Sequence, residues 1–164
     1  MRKIILGILT IAALVGCSSL DCPVGNIVQC YYSLQKSDGT PDTLGIDTLW
    51  VWSTRVDGKD TLLINSLCGI KATKFYLPMS HTLPMDLICL QLKDTLDTEW
   101  NDTIRLYKEN SSHFESVDCQ ASYFHKLTKI SSTHSIIDSA IINKQDVTYD
   151  ASTPHILLRL KARR

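Results

Sequence analysis

Residues 47–65 read Asp-Thr-Leu-Trp-Val-Trp-Ser-Thr-Arg-Val-Asp-Gly-Lys-Asp-Thr-Leu-Leu-Ile-Asn, and this stretch decides the fold class. Its two arms, Thr48–Ser53 and Thr61–Asn65, are read with a period of two, Leu49 with Val51 and Leu62 with Ile64 on one face. That period is the mark of a half-buried strand. Asp57-Gly58 lies between the arms, and Asp-Gly flanked by alternating runs is a strong short-range hairpin signal. The same pattern recurs outward in both directions, at Ile27–Gln35, Thr73–Pro78, Leu87–Lys93, Thr103–Lys108, Phe124–Ser131, Ser135–Ile142 and His155–Leu160. Turn chemistry separates the runs at Asp38-Gly39, Pro84, Asn101-Asp102, Asn143 and Pro154. Helical spacing occurs once, at Tyr123, Leu127 and Ile130, and the Ser131-Ser132-Thr133 cluster opposes it. Short strands without amphipathic helices predict an all-β fold, an antiparallel β-sandwich of immunoglobulin-like or transthyretin-like form, with a small closed barrel as the alternative.

One tripeptide opens many of these runs. Asp-Thr-Leu stands at 42–44, 47–49, 60–62 and 94–96, and Asp-Thr-Ile at 102–104. An aspartate carboxylate bonds nearby backbone N–H groups in turns, and Thr then Leu begins the alternation. Read in register, the third residue points inward: Leu49 with Val51, Leu62 with Ile64, Ile104 with Leu106. Cys30, Tyr32 and Leu34 form another inward stripe, as do Ile156, Leu158 and Leu160. With Leu49 and Val51 inside, Trp50 and Trp52 share the outward face. They form the candidate binding surface, with Trp100 as a third indole; the competing account buries this strand on both faces.

The first residues carry an address. Arg2 and Lys3 precede an apolar run, Ile4 to Val15, which is too short to span a bilayer but has the length of a signal h-region. Leu14-Val15-Gly16-Cys17 resembles the bacterial lipobox. Residues 1–16 are therefore expected to be a removed signal peptide, 17–26 a lipidated Cys17 with a short tether, and 27–164 one β-sandwich domain. Ser18, in place of an aspartate, points to the outer membrane, facing the periplasm. Loss of Arg2 and Lys3 leaves 15 basic against 17 acidic residues, a balance that argues against a nucleic-acid partner.

Six cysteines are encoded. With Cys17 on lipid, five remain in a compartment where disulfides persist. Cys22 and Cys119 lie in loop-like settings, Asp21-Cys22-Pro23 and Asp118-Cys119-Gln120, and are the preferred bridge. No Cys-x-x-Cys, Gly-x-Ser-x-Gly, His-Glu-x-x-His or glycine-rich phosphate loop is present. His81, His113, His125, His134 and His155 are dispersed, and the equal spacing of His113, Cys119 and His125 fits no familiar zinc pairing. The expectation is no metal, no cofactor and no enzymatic activity.

Several short segments, Asp21-Cys22-Pro23, Phe75-Tyr-Leu-Pro-Met-Ser80, His113-Phe-Glu-Ser-Val-Asp-Cys119 and Val147-Thr-Tyr-Asp150, together with the lipobox, resemble the small uncharacterised lipoproteins of Bacteroidota. The resemblance implies an envelope address and a β-rich fold, and no activity. It also implies O-glycosylation at Asp-Ser/Thr followed by a small apolar residue, which this chain offers at Thr43, Thr48, Thr61, Thr95, Thr103 and Ser139. The function expected is a lipid-anchored, non-enzymatic structural or protein-interaction component of the envelope. The alternative is a carbohydrate-binding module built on the tryptophans.

Overall fold

The computed structural model describes residues 28–55, 57–68, 71–116 and 119–161. The expected signal peptide, Cys17 and Cys22 lie outside the described residues. Ten strands follow one another: β1 (Gln29–Leu34), β2 (Thr48–Thr54), β3 (Asp60–Cys68), β4 (Lys74–Pro78), β5 (Met85–Lys93), β6 (Glu99–His113), β7 (Ser122–Ser132), β8 (Ile137–Ile142), β9 (Asp146–Val147) and β10 (Ile156–Leu160). They form an all-β sandwich of a four-stranded sheet, β4-β1-β10-β8, and a six-stranded sheet, β3-β2-β5-β6-β7-β9. The Tyr123–Ile130 segment is strand rather than helix. Every pairing among the described strands is antiparallel except β1 with β10, which run parallel with Tyr32 opposite Ile156 and Leu34 opposite Leu158.

The inward stripes meet between the sheets. Cys30, Tyr32, Val51, Ile104, Leu106, Leu127, Ile137 and Ile156 have no measurable exposure. The Leu62 register is the exception. Irregular pairing between Val51–Ile64 and Trp52–Leu62 leaves Leu63 as an extra residue on β3. This β-bulge shifts the side-chain parity, so Leu63 and Ile64 both pack against the core while Leu62 is 46% exposed beside Trp52. Leu160, at the end of its stripe, is only half-buried.

Three loops repeat one device. In Lys36–Thr40, Arg55–Lys59 and Asp94–Thr98 the first N–H donates to the last carbonyl at 2.9, 2.8 and 3.1 Å. The fourth residue donates back to the first carbonyl and is left-handed, namely Gly39, Gly58 and Asp97, with φ of 83°, 77° and 64°. This is the three-residue hairpin closed by a bulge. Glycine fits it without strain, and aspartate is among the few other residues that tolerate it.

β6 is longer than its hydrophobic pattern suggests, because polar residues occupy inward positions. Its inward register runs Trp100, Asp102, Ile104, Leu106, Lys108 and Asn110, and both charged members are buried. One end of β6 pairs β5 and the other pairs β7, so this strand carries the contacts that tie two of the crossovers between the sheets, β4–β5 and β7–β8.

Candidate functional site

Trp50 and Trp52 occupy the outward face of β2, each half-buried. Trp50 is opposite Gln91, which is opposite Asn101; Trp52 is opposite Cys89 and Leu62, and Cys89 opposite Thr103. The two indoles therefore lie on a sheet face of mixed polar and apolar neighbours. Trp100 does not join them. It is opposite buried Leu92 and packs against the core, because it shares the parity of Ile104. That parity was the available signal. Trp100 instead lines a depression of about 490 Å³ at one end of the sandwich, between the loop holding Ile46 and the loop holding Leu96. Ile46 is 67% and Leu96 84% exposed.

The opposite end holds a polar cluster. Lys108 Nζ lies 3.0 Å from Asp86 Oδ1 and is fully buried. It also donates to the Leu83 carbonyl at 2.8 Å. Asn110 donates to the same carbonyl at 2.9 Å and to that of His81 at 3.1 Å. Its Oδ1 lies 2.7 Å from His125 Nδ1. These side chains satisfy carbonyls of the β4–β5 crossover, which leaves one sheet for the other and has no ladder partner there. Burial, with Lys108 and His81 nearby, lowers the His125 pKa to about 4, so the imidazole is neutral at pH 7. Burial raises the Asp86 carboxyl above its ordinary value against the opposing pull of Lys108. Behind them burial pushes the Cys30 thiol up to about 12, so it packs as an inert hydrophobe.

In front of Asp86 a cavity of about 550 Å³ opens between edge strand β3 and the end of edge strand β4. Its walls include Leu63, Pro78, Met79, Leu83 and Ile88. Ser53, Thr54, Thr61 and Ser80 add hydroxyls, and Arg55 and Asp57 stand at the hairpin. Sequence reading missed this cavity because its residues come from four separate segments, none carrying a motif.

Asp102 is the counterpart of Lys108 at the other end of β6. Its Oδ2 accepts the N–H groups of Ile136 and Ile137, both at 2.9 Å. Its Oδ1 accepts the N–H of Thr103 at 2.7 Å, the N–H of Thr133 at 3.1 Å and the Thr133 hydroxyl at 2.5 Å. Burial opposes its ionisation, but the Thr133 hydroxyl and these N–H groups outweigh it and hold the carboxyl below its ordinary value. The β7–β8 crossover is thus tied by an anion, as the β4–β5 crossover is by a cation. Other members of the Asp-Thr repeat act as turn caps: Asp42 accepts from Thr43 N–H, and Asp94 from Leu96 and Thr98 N–H.

Of the proposed glycosylation positions, Thr95 is exposed on the β5–β6 loop, whereas Thr43, Thr48, Thr61, Thr103 and Ser139 are half-buried. Cys30, Cys68 and Cys89 are free thiols, and Cys119 is disulfide-bonded. The other histidines stack or hydrogen-bond within the body, His134 Nδ1 lying 3.2 Å from the Asp138 carbonyl oxygen. His113 stacks on Phe124, His81 on Tyr123, and buried His155 accepts the Tyr31 N–H at 2.9 Å, extending the β1–β10 pairing. Among the described residues no group of three or more His, Cys, Asp or Glu is arranged to hold a metal ion, and no helix is long and apolar enough to cross a membrane.

Residues 48–159 match the model of a family of unknown function, DUF6452. The match runs from β2 into β10 and takes in both ends of β6. No curated protein matches the chain, and no solved structure does.

Proposed function

The chain belongs to the DUF6452 family, and from its own residues we propose a lipid-anchored, non-enzymatic interaction module of the bacterial cell envelope, of the Bacteroidota lipoprotein kind. The N-terminal reading supports the anchor: a basic start, a short apolar run and Leu14-Val15-Gly16-Cys17. Acyl chains on Cys17 hold the domain at the outer membrane, on the periplasmic side, since two or more chains are needed for stable attachment. The three free thiols leave Cys17 and Cys22 as the cysteines available to Cys119 within the chain. With Cys17 carrying lipid, Cys22 bridges Cys119 and staples the tether to the body. In the chain-entropy model a loop of that length is worth about 4–5 kcal/mol.

One observation carries the interaction reading: Ile46 and Leu96 project from adjacent loops beside Trp100. An exposed apolar rim around a half-buried aromatic is the usual anatomy of a protein contact. The outward Trp50 and Trp52 support a second reading, a platform for sugar rings. No nucleic acid is expected to bind, since the chain has no excess of basic residues.

Intact-mass analysis of the protein from its native host is expected to show removal of residues 1–16, an added diacylglyceryl and acyl mass, and one disulfide. Hexose-type increments lost in Thr95→Ala would place the glycan on the exposed loop. A protein without lipid sinks the anchor. Envelope extract cross-linked to wild type and to Leu96→Asp separates the two binding readings. Loss of the captured species in Leu96→Asp supports the rim, whereas glycan-array binding lost in Trp50→Ala and Trp52→Ala supports the platform.

A further inference from the structure

The cavity beside Asp86 has a charge balance that selects its occupant. At about 550 Å³ it falls within the range of small-molecule sites, roughly 300–1,000 Å³. The charged side chains on its wall are paired, Asp86 Oδ1 with Lys108 at 3.0 Å and Arg55 with Asp57 at 3.7 Å, while the buried Asp86 Oδ2 has no hydrogen-bond partner and can accept from a neutral donor. An ionic ligand would therefore enter unpaired or break an existing pair, and a desolvated unpaired charge is strongly disfavoured. Neutral polar groups meet no such obstacle. The hydroxyls of Ser53 and Thr61 can each donate or accept, whereas Thr54 Oγ1 already donates to Asp60 and Ser80 Oγ already accepts the N–H groups of Thr82 and Leu83; Leu63, Met79, Leu83 and Ile88 offer an apolar wall.

We infer that this cavity binds a neutral amphipathic small molecule, with an apolar body and a hydroxyl head. The apolar body replaces water against Leu63, Leu83 and Ile88. The hydroxyl head exchanges hydrogen bonds with the serine and threonine wall. The site stands apart from the Ile46–Leu96 rim and from the Trp50–Trp52 face, and it does not depend on the lipid anchor.

The probes are three ring compounds of one size: cyclohexanol, cyclohexylammonium and cyclohexanecarboxylate. Each is titrated into the purified chain, held in lipid nanodiscs when it carries lipid, with empty discs as the blank, while methyl resonances are followed. Cyclohexanol is expected to shift the Leu63, Leu83 and Ile88 methyls saturably and to bind about tenfold more tightly than either ion. In Thr61→Trp, which fills the mouth from the edge strand, those shifts are expected to vanish. Equal or tighter binding of either ion overturns the inference, as do shifts that never saturate, or saturable shifts confined to the Ile46 and Leu96 end. The comparison of the three probes on the unaltered chain holds whether or not Thr61→Trp folds.

Discussion

Asp102→Ala is expected to lower the free energy of unfolding by about 3–5 kcal/mol, because two buried N–H donors lose their acceptor at about 1–3 kcal/mol each. Ile136 and Ile137 donate to Oδ2 alone among the contacts of that carboxylate, and both residues are buried. Asp102→Asn is expected to be nearly as damaging. An amide has one acceptor oxygen, and whichever way it turns, its NH₂ faces N–H donors. Urea unfolding is the measurement. A fall in midpoint with an unchanged slope would locate the loss in native stability, and a change under about 1 kcal/mol would contradict the assignment. The same carboxyl shapes the acid limb. Its folded pKa is depressed, so its contribution is present above the unfolded value, roughly 3.9, and is lost as pH falls through the folded value. His125 acts earlier. Its folded pKa of about 4 lies below the unfolded imidazole at roughly 6.5. Stability therefore declines between those two values as the unfolded chain takes up a proton that the native one refuses.

Lys108→Met is the second large effect, again about 3–5 kcal/mol, the cost of leaving one member of a buried pair uncompensated. Asp86 would retain Ser80 N–H at 3.4 Å as its remaining hydrogen-bond donor, a weak contact. The Leu83 carbonyl would keep Asn110. Replacing both partners, Asp86→Leu with Lys108→Met, is expected to recover at least half of the loss, since well-packed apolar pairs often match buried ion pairs. A double variant as unstable as the single one would show that the pair does more than neutralise itself. The double-mutant cycle reads the coupling directly.

Most of the strands were legible because period two survives wherever one face is buried. Residues 103–106, Thr-Ile-Arg-Leu, show it most cleanly. Three kinds of information were not legible. Two-residue β9 is too short to carry a period. The β3 register depends on a bulge at Leu63 and a left-handed Ser66, φ 64°, and neither has a residue signature. The buried charges were hidden for the opposite reason. Asp102 and Lys108 continue the inward parity of Ile104 and Leu106, but a charged residue at an inward position reads as the end of a strand. For the site, the outward placement of Trp50 and Trp52 followed from parity, and Trp100 could have been separated from them by the same count. The cavity could not, since it exists only once β3 and the β4–β5 crossover are brought side by side.

The parallel alignment of β1 and β10 gives the molecule a direction. Chain entering at Gln29 and chain leaving at Leu160 do so at opposite poles. The entry pole is the one with the β2–β3 hairpin and Pro78, and the exit pole the one with Leu44 and Leu96. Under the proposed anchor at Cys17, the apolar rim at Ile46 and Leu96 would be the outermost tip, while the mouth beside Thr61 would look back toward the lipid. A partner approaching from the side away from that anchor would touch the tip before it reached the mouth.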